Sequence, residues 1–86
     1  MKAGYEKYVY RVVLGFDIEV YKTTIYDVFI NGVWFKSSNS LKNIQSGVFE
    51  YILKQIDLES RTTENVMRVF FDIQLLISIC EQEFEE

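Results

Sequence analysis

TTIYDVFINGVWFKSS, residues 23–38, decides the fold. At its centre Asn31 and Gly32 stand between two alternating apolar runs. This is the strongest short-range signal for a two-residue β-hairpin, because both residues accept the positive φ of a type I′ turn. The two-residue loop sets the expected pairing: Ile30 opposite Val33, Phe29 opposite Trp34, Val28 opposite Phe35, Asp27 opposite Lys36 and Tyr26 opposite Ser37. One face then carries Tyr26, Val28, Ile30, Val33 and Phe35. The other carries Ile25, Asp27, Phe29, Trp34 and Lys36, with one opposite-charge pair across the strands.

Working outward, FDIEVYK (16–22) alternates in the same way. An odd loop of three residues, Lys22-Thr23-Thr24, places Ile18 opposite Val28 and Tyr21 opposite Ile25. It gathers Phe16, Ile18, Val20, Tyr26, Val28 and Ile30 on one face. An even loop would put Asp17 and Glu19 into that face. Since a slip of one residue reverses every side chain, the odd loop is expected. Three antiparallel strands follow, at about 16–22, 24–30 and 33–38, with Trp34, Phe29 and Tyr21 turned away from the core among Asp17, Glu19, Asp27 and Lys36.

Residues 5–14, YEKYVYRVVL, fit two templates. Alternation puts Tyr8, Tyr10, Val12 and Leu14 on one side. Helical spacing gathers Tyr5, Tyr8, Val9, Val12 and Val13. β-Branched and aromatic content favours a strand. Gly15 directly after the run favours a helix closed by a glycine. An N-terminal helix is expected, with an extra strand as the alternative.

Two helices close the chain. Asn39 or Ser40 caps the first, about 40–57, whose stripe is Leu41, Ile44, Val48, Ile52 and Ile56. Gly47 within it marks a close approach to the sheet. Thr62 or Thr63 caps the second, about 63–82. Its heptad-like seam runs Val66, Phe70, Ile73, Ile77, Cys80 and Phe84, widened by Val69 and Leu76. A second row, Met67, Phe71, Leu75 and Ile79, leaves the helix apolar on more than one side. Such a helix is central or shared with a neighbour, so a homodimer through residues 66–80 is one expectation. The fold class is α+β and the 86 residues form one compact domain, 1–86.

Much chemistry is missing. With no histidine there is no imidazole base and no histidine metal site. One cysteine excludes thiolate zinc cages and an internal disulfide, and Cys80 lies on an apolar seam beside acids, which suits packing and not nucleophilic attack. The four glycines are scattered, so no phosphate loop exists. Asp17, Glu19 and Asp27 could form a carboxylate cluster for acid–base work or a divalent cation, but no loop gathers further oxygen ligands. No enzyme, no metal and no cofactor are expected.

The net charge of −4 comes without a basic footprint. Lys2, Lys7 and Arg11 are interrupted by Glu6, so nucleic acid is not expected as a direct ligand. The run VFFDIQLLISIC (69–80) is too short and too polar to span a bilayer. MKAGYEKYVY has no leader-like apolar run, and a cytoplasmic setting is expected. The predicted order of elements is similar in part to that of double-stranded-RNA-binding domains, but it lacks their lysine-rich helix start, and that function is not carried over. It is also similar, by architecture alone, to some small phage-encoded anti-CRISPR inhibitors. The expected function is a non-enzymatic protein-binding module, an inhibitor or adaptor of the kind found among phage or mobile-element accessory proteins. The partner is another protein, docked on Trp34, Phe29, Tyr21, Asp17, Glu19, Asp27 and Lys36. The alternative is a nucleic-acid-related role, either an acidic DNA mimic or a weak direct binder.

Overall fold

The computed structural model describes residues 7–84. Its strands are β1 (Tyr8–Val13), β2 (Phe16–Lys22), β3 (Tyr26–Ile30) and β4 (Val33–Ser38), followed by the helices α1 (Leu41–Gln55) and α2 (Thr63–Phe84). The strands form one antiparallel sheet in chain order, β1-β2-β3-β4. The fold is α+β, as expected, with a fourth strand at the N-terminal end.

That strand is the alternative to the expected N-terminal helix, and it replaces the helix over residues 8–13; Tyr5 and Glu6 of the same run lie outside the described residues. The cause is the turn. Leu14 and Gly15 both adopt positive φ, 49° and 85°, nearly matching Asn31 and Gly32 at 52° and 82°. Gly15 is therefore the second residue of a tight hairpin and not a helix cap. Leu14 bears backbone strain there, while its side chain packs against the core. The strand-first order also removes the architectural similarity to helix-first domains.

The β2–β3 loop is odd, as expected, but consists of Thr23–Ile25, closed by the Thr23 amide donating to the Ile25 carbonyl at 3.1 Å. Ile18 consequently pairs with Ile30 and Val20 with Val28, two residues along from the expected partners. Parity is unchanged, so Ile18, Val20, Tyr26, Val28 and Ile30 still share the buried face.

The β3–β4 hairpin departs further. Ile30 pairs with Val33 and Phe29 with Trp34, as the Asn-Gly turn requires. Then the register shifts: Val28 pairs with Lys36, Asp27 with Ser37 and Tyr26 with Ser38. Phe35 is the extra residue of a β-bulge. Its ring turns to the helix side, 5.0 Å from that of Tyr51. Lys36 follows it, its side chain lying over Gly47 of α1, where an added methyl would meet Lys36 Cδ and Nζ at 3.0 Å. The glycine thus serves a close approach to β4. Val33, expected in the core, stands exposed.

Both helices pack on one face of the sheet, α2 against β1 and α1 against β3 and β4. Ser40 caps α1 by accepting from the Asn43 amide, and Thr62 accepts from the Asn65 amide at the start of α2. The core joins Val9, Val13, Ile18, Val20, Val28 and Ile30 to Ile44, Val48 and Ile52 of α1 and to Val69, Ile73, Leu76, Ile77 and Cys80 of α2. Arg11 bonds Asp72 at 3.1 Å, tying β1 to α2. Of the second row of α2, Met67, Phe71 and Leu75 are exposed on this single chain, while Ile79 is half-buried and packs against the core. No helix among the described residues is long and apolar enough to cross a membrane.

Cys80 is fully buried on the core seam. Burial first, and the charge of Glu81 second, push its thiol up to about 12. The thiolate is thereby suppressed, so maleimide labelling of the folded protein near pH 8 should proceed far more slowly than labelling after denaturation. A folded value above the unfolded one means the neutral thiol's contribution is complete below about pH 9 and is lost as pH rises toward 12. Cys80→Ala should cost about 1 kcal/mol or somewhat more at neutral pH. It should also flatten the stability loss above pH 9, as urea titrations at several pH values would show.

Candidate functional site

The sheet face opposite the helices is built from alternate residues of all four strands. Cross-strand pairing arranges them in two rows. Tyr10 pairs with Glu19, Glu19 with Phe29, and Phe29 with Trp34. Beside that row, Tyr8 pairs with Tyr21, Tyr21 with Asp27, and Asp27 with Ser37. Three strand spacings separate the ends of each row, roughly 14 Å. No helix of the described residues covers this face.

Trp34 is 57% and Tyr10 51% exposed, at opposite ends of the first row. Both polar ends are held. The Trp34 indole N–H donates to Ser37 Oγ at 3.1 Å, and Ser37 in turn donates to the Asp27 carboxylate. The Tyr10 hydroxyl donates to Asp17 Oδ1 at 2.8 Å. That hydrogen bond is the main reason the Tyr10 hydroxyl titrates above its ordinary value, followed by desolvation and the charges of Asp17 and Glu19. Asp17 is itself fixed: its amide donates to Asn31 Oδ1 at 2.9 Å and its carbonyl accepts from the Asn31 amide at 2.8 Å.

Tyr21 lies on this face but is only 1% exposed. Tyr8 stacks on it at 5.1 Å and Phe29 meets it edge-on at 5.5 Å, while its hydroxyl donates to Glu19 Oε2 at 3.3 Å. Tyr21 and the half-buried Phe29 thus support the face from within, and the solvent-facing aromatics are Trp34, Tyr10 and Tyr8. Asp17 is exposed, and Glu19 and Asp27 are half-buried. The structure brings six of the seven expected residues to one face. Lys36 is the exception and requires correction: the bulge at Phe35 reverses it onto α1, so it faces neither Asp27 nor Trp34.

Tyr8, Tyr10 and Val12 were the omission. Their alternation was visible, but the helical reading of the same run removed them from the sheet. Among the described residues, no three acids or cysteines converge closely enough to hold a metal ion. Of the N-terminal cations, Lys7 pairs with Glu83 and Arg11 with Asp72, both on α2; Lys2 lies outside the described residues. A cleft of about 480 Å3 lies on the helical side, lined by Lys42, Asn43, Ser46 and Phe49 of α1 and Phe70 and Ile73 of α2.

No protein-family model matches the chain, and no curated protein or solved structure matches it either.

Proposed function

We propose that the chain is a non-enzymatic protein-binding module, an inhibitor or adaptor, that docks its partner on the helix-free face of the sheet. The observation that carries this reading is the pair of exposed aromatics, Tyr10 and Trp34, each hydrogen-bonded through its polar end. Contiguous exposed aromatic surface marks interaction sites, and Trp and Tyr dominate the energetics of interfaces. A free aromatic side chain loses rotamer freedom on docking. Here the hydrogen bonds to Asp17 and Ser37 hold both rings before a partner arrives, which lowers that entropic cost. On the same face Tyr8 stacks on Tyr21, and Phe29 meets Tyr21 edge-on.

The test is affinity capture with the tagged chain, comparing the native sequence with Trp34→Ala and Met67→Ala. The captured protein should be bound at least roughly tenfold more weakly by Trp34→Ala, as an interface anchor requires. It should be retained by Met67→Ala, which alters the exposed row of α2. Trp34→Ala should cost about 1 kcal/mol or less of folding stability, since more than half of the side chain is exposed. Retention by Trp34→Ala with loss by Met67→Ala would move the docking surface to the helical side.

A further inference from the structure

We infer that the segment docked on this face is cationic and presents arginine. The inference rests on the docking role proposed for the face and adds the chemistry of the partner. The sheet sorts its charges by face. The acids of the strands, Asp17, Glu19 and Asp27, all lie on the open face. The cations that β1, β2 and β4 carry, with Lys7 just before β1, all turn toward the helices. Lys7 reaches Glu83, Arg11 reaches Asp72, Lys22 lies 4.9 Å over the Tyr26 ring, and Lys36 lies over Gly47. Among the described residues the open face therefore combines aromatic rings with carboxylates and carries no strand cation. The bulge completes this segregation, because a regular β4 would have placed Lys36 beside Asp27.

Asp17 and Glu19 give the face its specificity. Each accepts one tyrosine hydroxyl, from Tyr10 and Tyr21 respectively, and a carboxylate has room for about four hydrogen bonds. Each also lies next to a ring: Tyr10 pairs with Glu19 and donates to Asp17, and Phe29 flanks Glu19 on the other side. A guanidinium group is planar, stacks on aromatic faces and donates in a fork to a carboxylate. It can satisfy ring and acid together, whereas an ammonium group acts as a point charge. A phosphate backbone would be repelled, so the face selects a basic stretch of protein.

The probe is a decapeptide of alternating arginine and glycine, titrated into the 15N-labelled full chain and followed by NMR. Its glutamate–glycine and serine–glycine counterparts serve as controls. The arginine peptide should move the Trp34 indole N–H and the backbone amides of Tyr10 and Glu19, and should bind more weakly as salt rises from about 0.05 to about 0.5 M. The double variant Asp17→Asn, Glu19→Gln should weaken it about tenfold while the spectrum keeps its native dispersion. The inference is overturned if the arginine peptide leaves those signals unmoved or moves only signals of the helices. It is also overturned if the double variant binds it equally well. Equal binding of the serine or glutamate peptide to the face would overturn the cationic chemistry and leave the docking surface standing. Retention of the captured partner by Trp34→Ala would remove the docking surface, and this inference with it.

Discussion

Leu76→Ala should lower the free energy of unfolding by about 3–4 kcal/mol, and Leu75→Ala, one residue earlier on the same helix, by less than about 1 kcal/mol. Leu76 is fully buried among the sheet and α1, so its truncation loses both transfer energy and packing around a new cavity. Leu75 is 50% exposed, about 100° around α2 from Leu76. A domain of this length has a total stability of only about 4–13 kcal/mol, so the first substitution consumes a large share of it. Urea unfolding followed by far-ultraviolet circular dichroism measures both. Equal costs would mean that α2 is rotated relative to the structure. The same pair of variants reports on self-association. If a second copy covers Met67, Phe71 and Leu75, the cost at Leu75 will depend on protein concentration, because association stabilises by mass action.

Gly15→Val should destabilise by about 2 kcal/mol or more, through the backbone alone. Gly15 sits at φ +85° with open space where a Cβ would be, so no steric clash with the surroundings enters. What remains is the cost of forcing a β-branched residue into left-handed backbone, about 1–2 kcal/mol for an ordinary residue and more for valine. The loss falls on the β1–β2 hairpin. Hydrogen exchange should therefore show the amides of β1 opening first, ahead of those in the β3–β4 hairpin. A loss below about 0.5 kcal/mol would show that the turn does not hold this conformation.

These two sites also show where the sequence was legible. Alternation in residues 16–35 and the Asn-Gly turn placed Ile18, Val20, Val28 and Ile30 on one face and Asp17, Glu19, Tyr21 and Phe29 on the other, because a period of two tolerates only one parity. Helical spacing likewise found Ile44, Val48 and Ile52, and Ile73, Leu76, Ile77 and Cys80. The misreading of residues 8–13 has a specific physical source. A glycine at positive φ closes a helix and also ends a type I′ turn, so Gly15 carried no discriminating information. The deciding fact is the positive φ of Leu14, which a leucine does not advertise. The three aromatic and apolar positions Tyr8, Tyr10 and Val12 were lost from the site with that strand. The bulge was hidden for a related reason. Nothing in WFKSS marks an inserted residue; the cause is tertiary, Phe35 finding Tyr51 and Lys36 finding the gap at Gly47.

The extra residue in β4 also governs how the sheet meets other sheets. A bulged edge presents its N–H and C=O groups out of step, and an incoming strand finds no regular ladder to extend. β1, at the other edge, is regular from Tyr8 to Val13. Among the described residues, edge-to-edge growth is therefore one-sided. If two copies met through β1, both regular edges would be consumed and both outer margins would be irregular. The polymer that an open four-stranded sheet threatens to form would terminate at its first step.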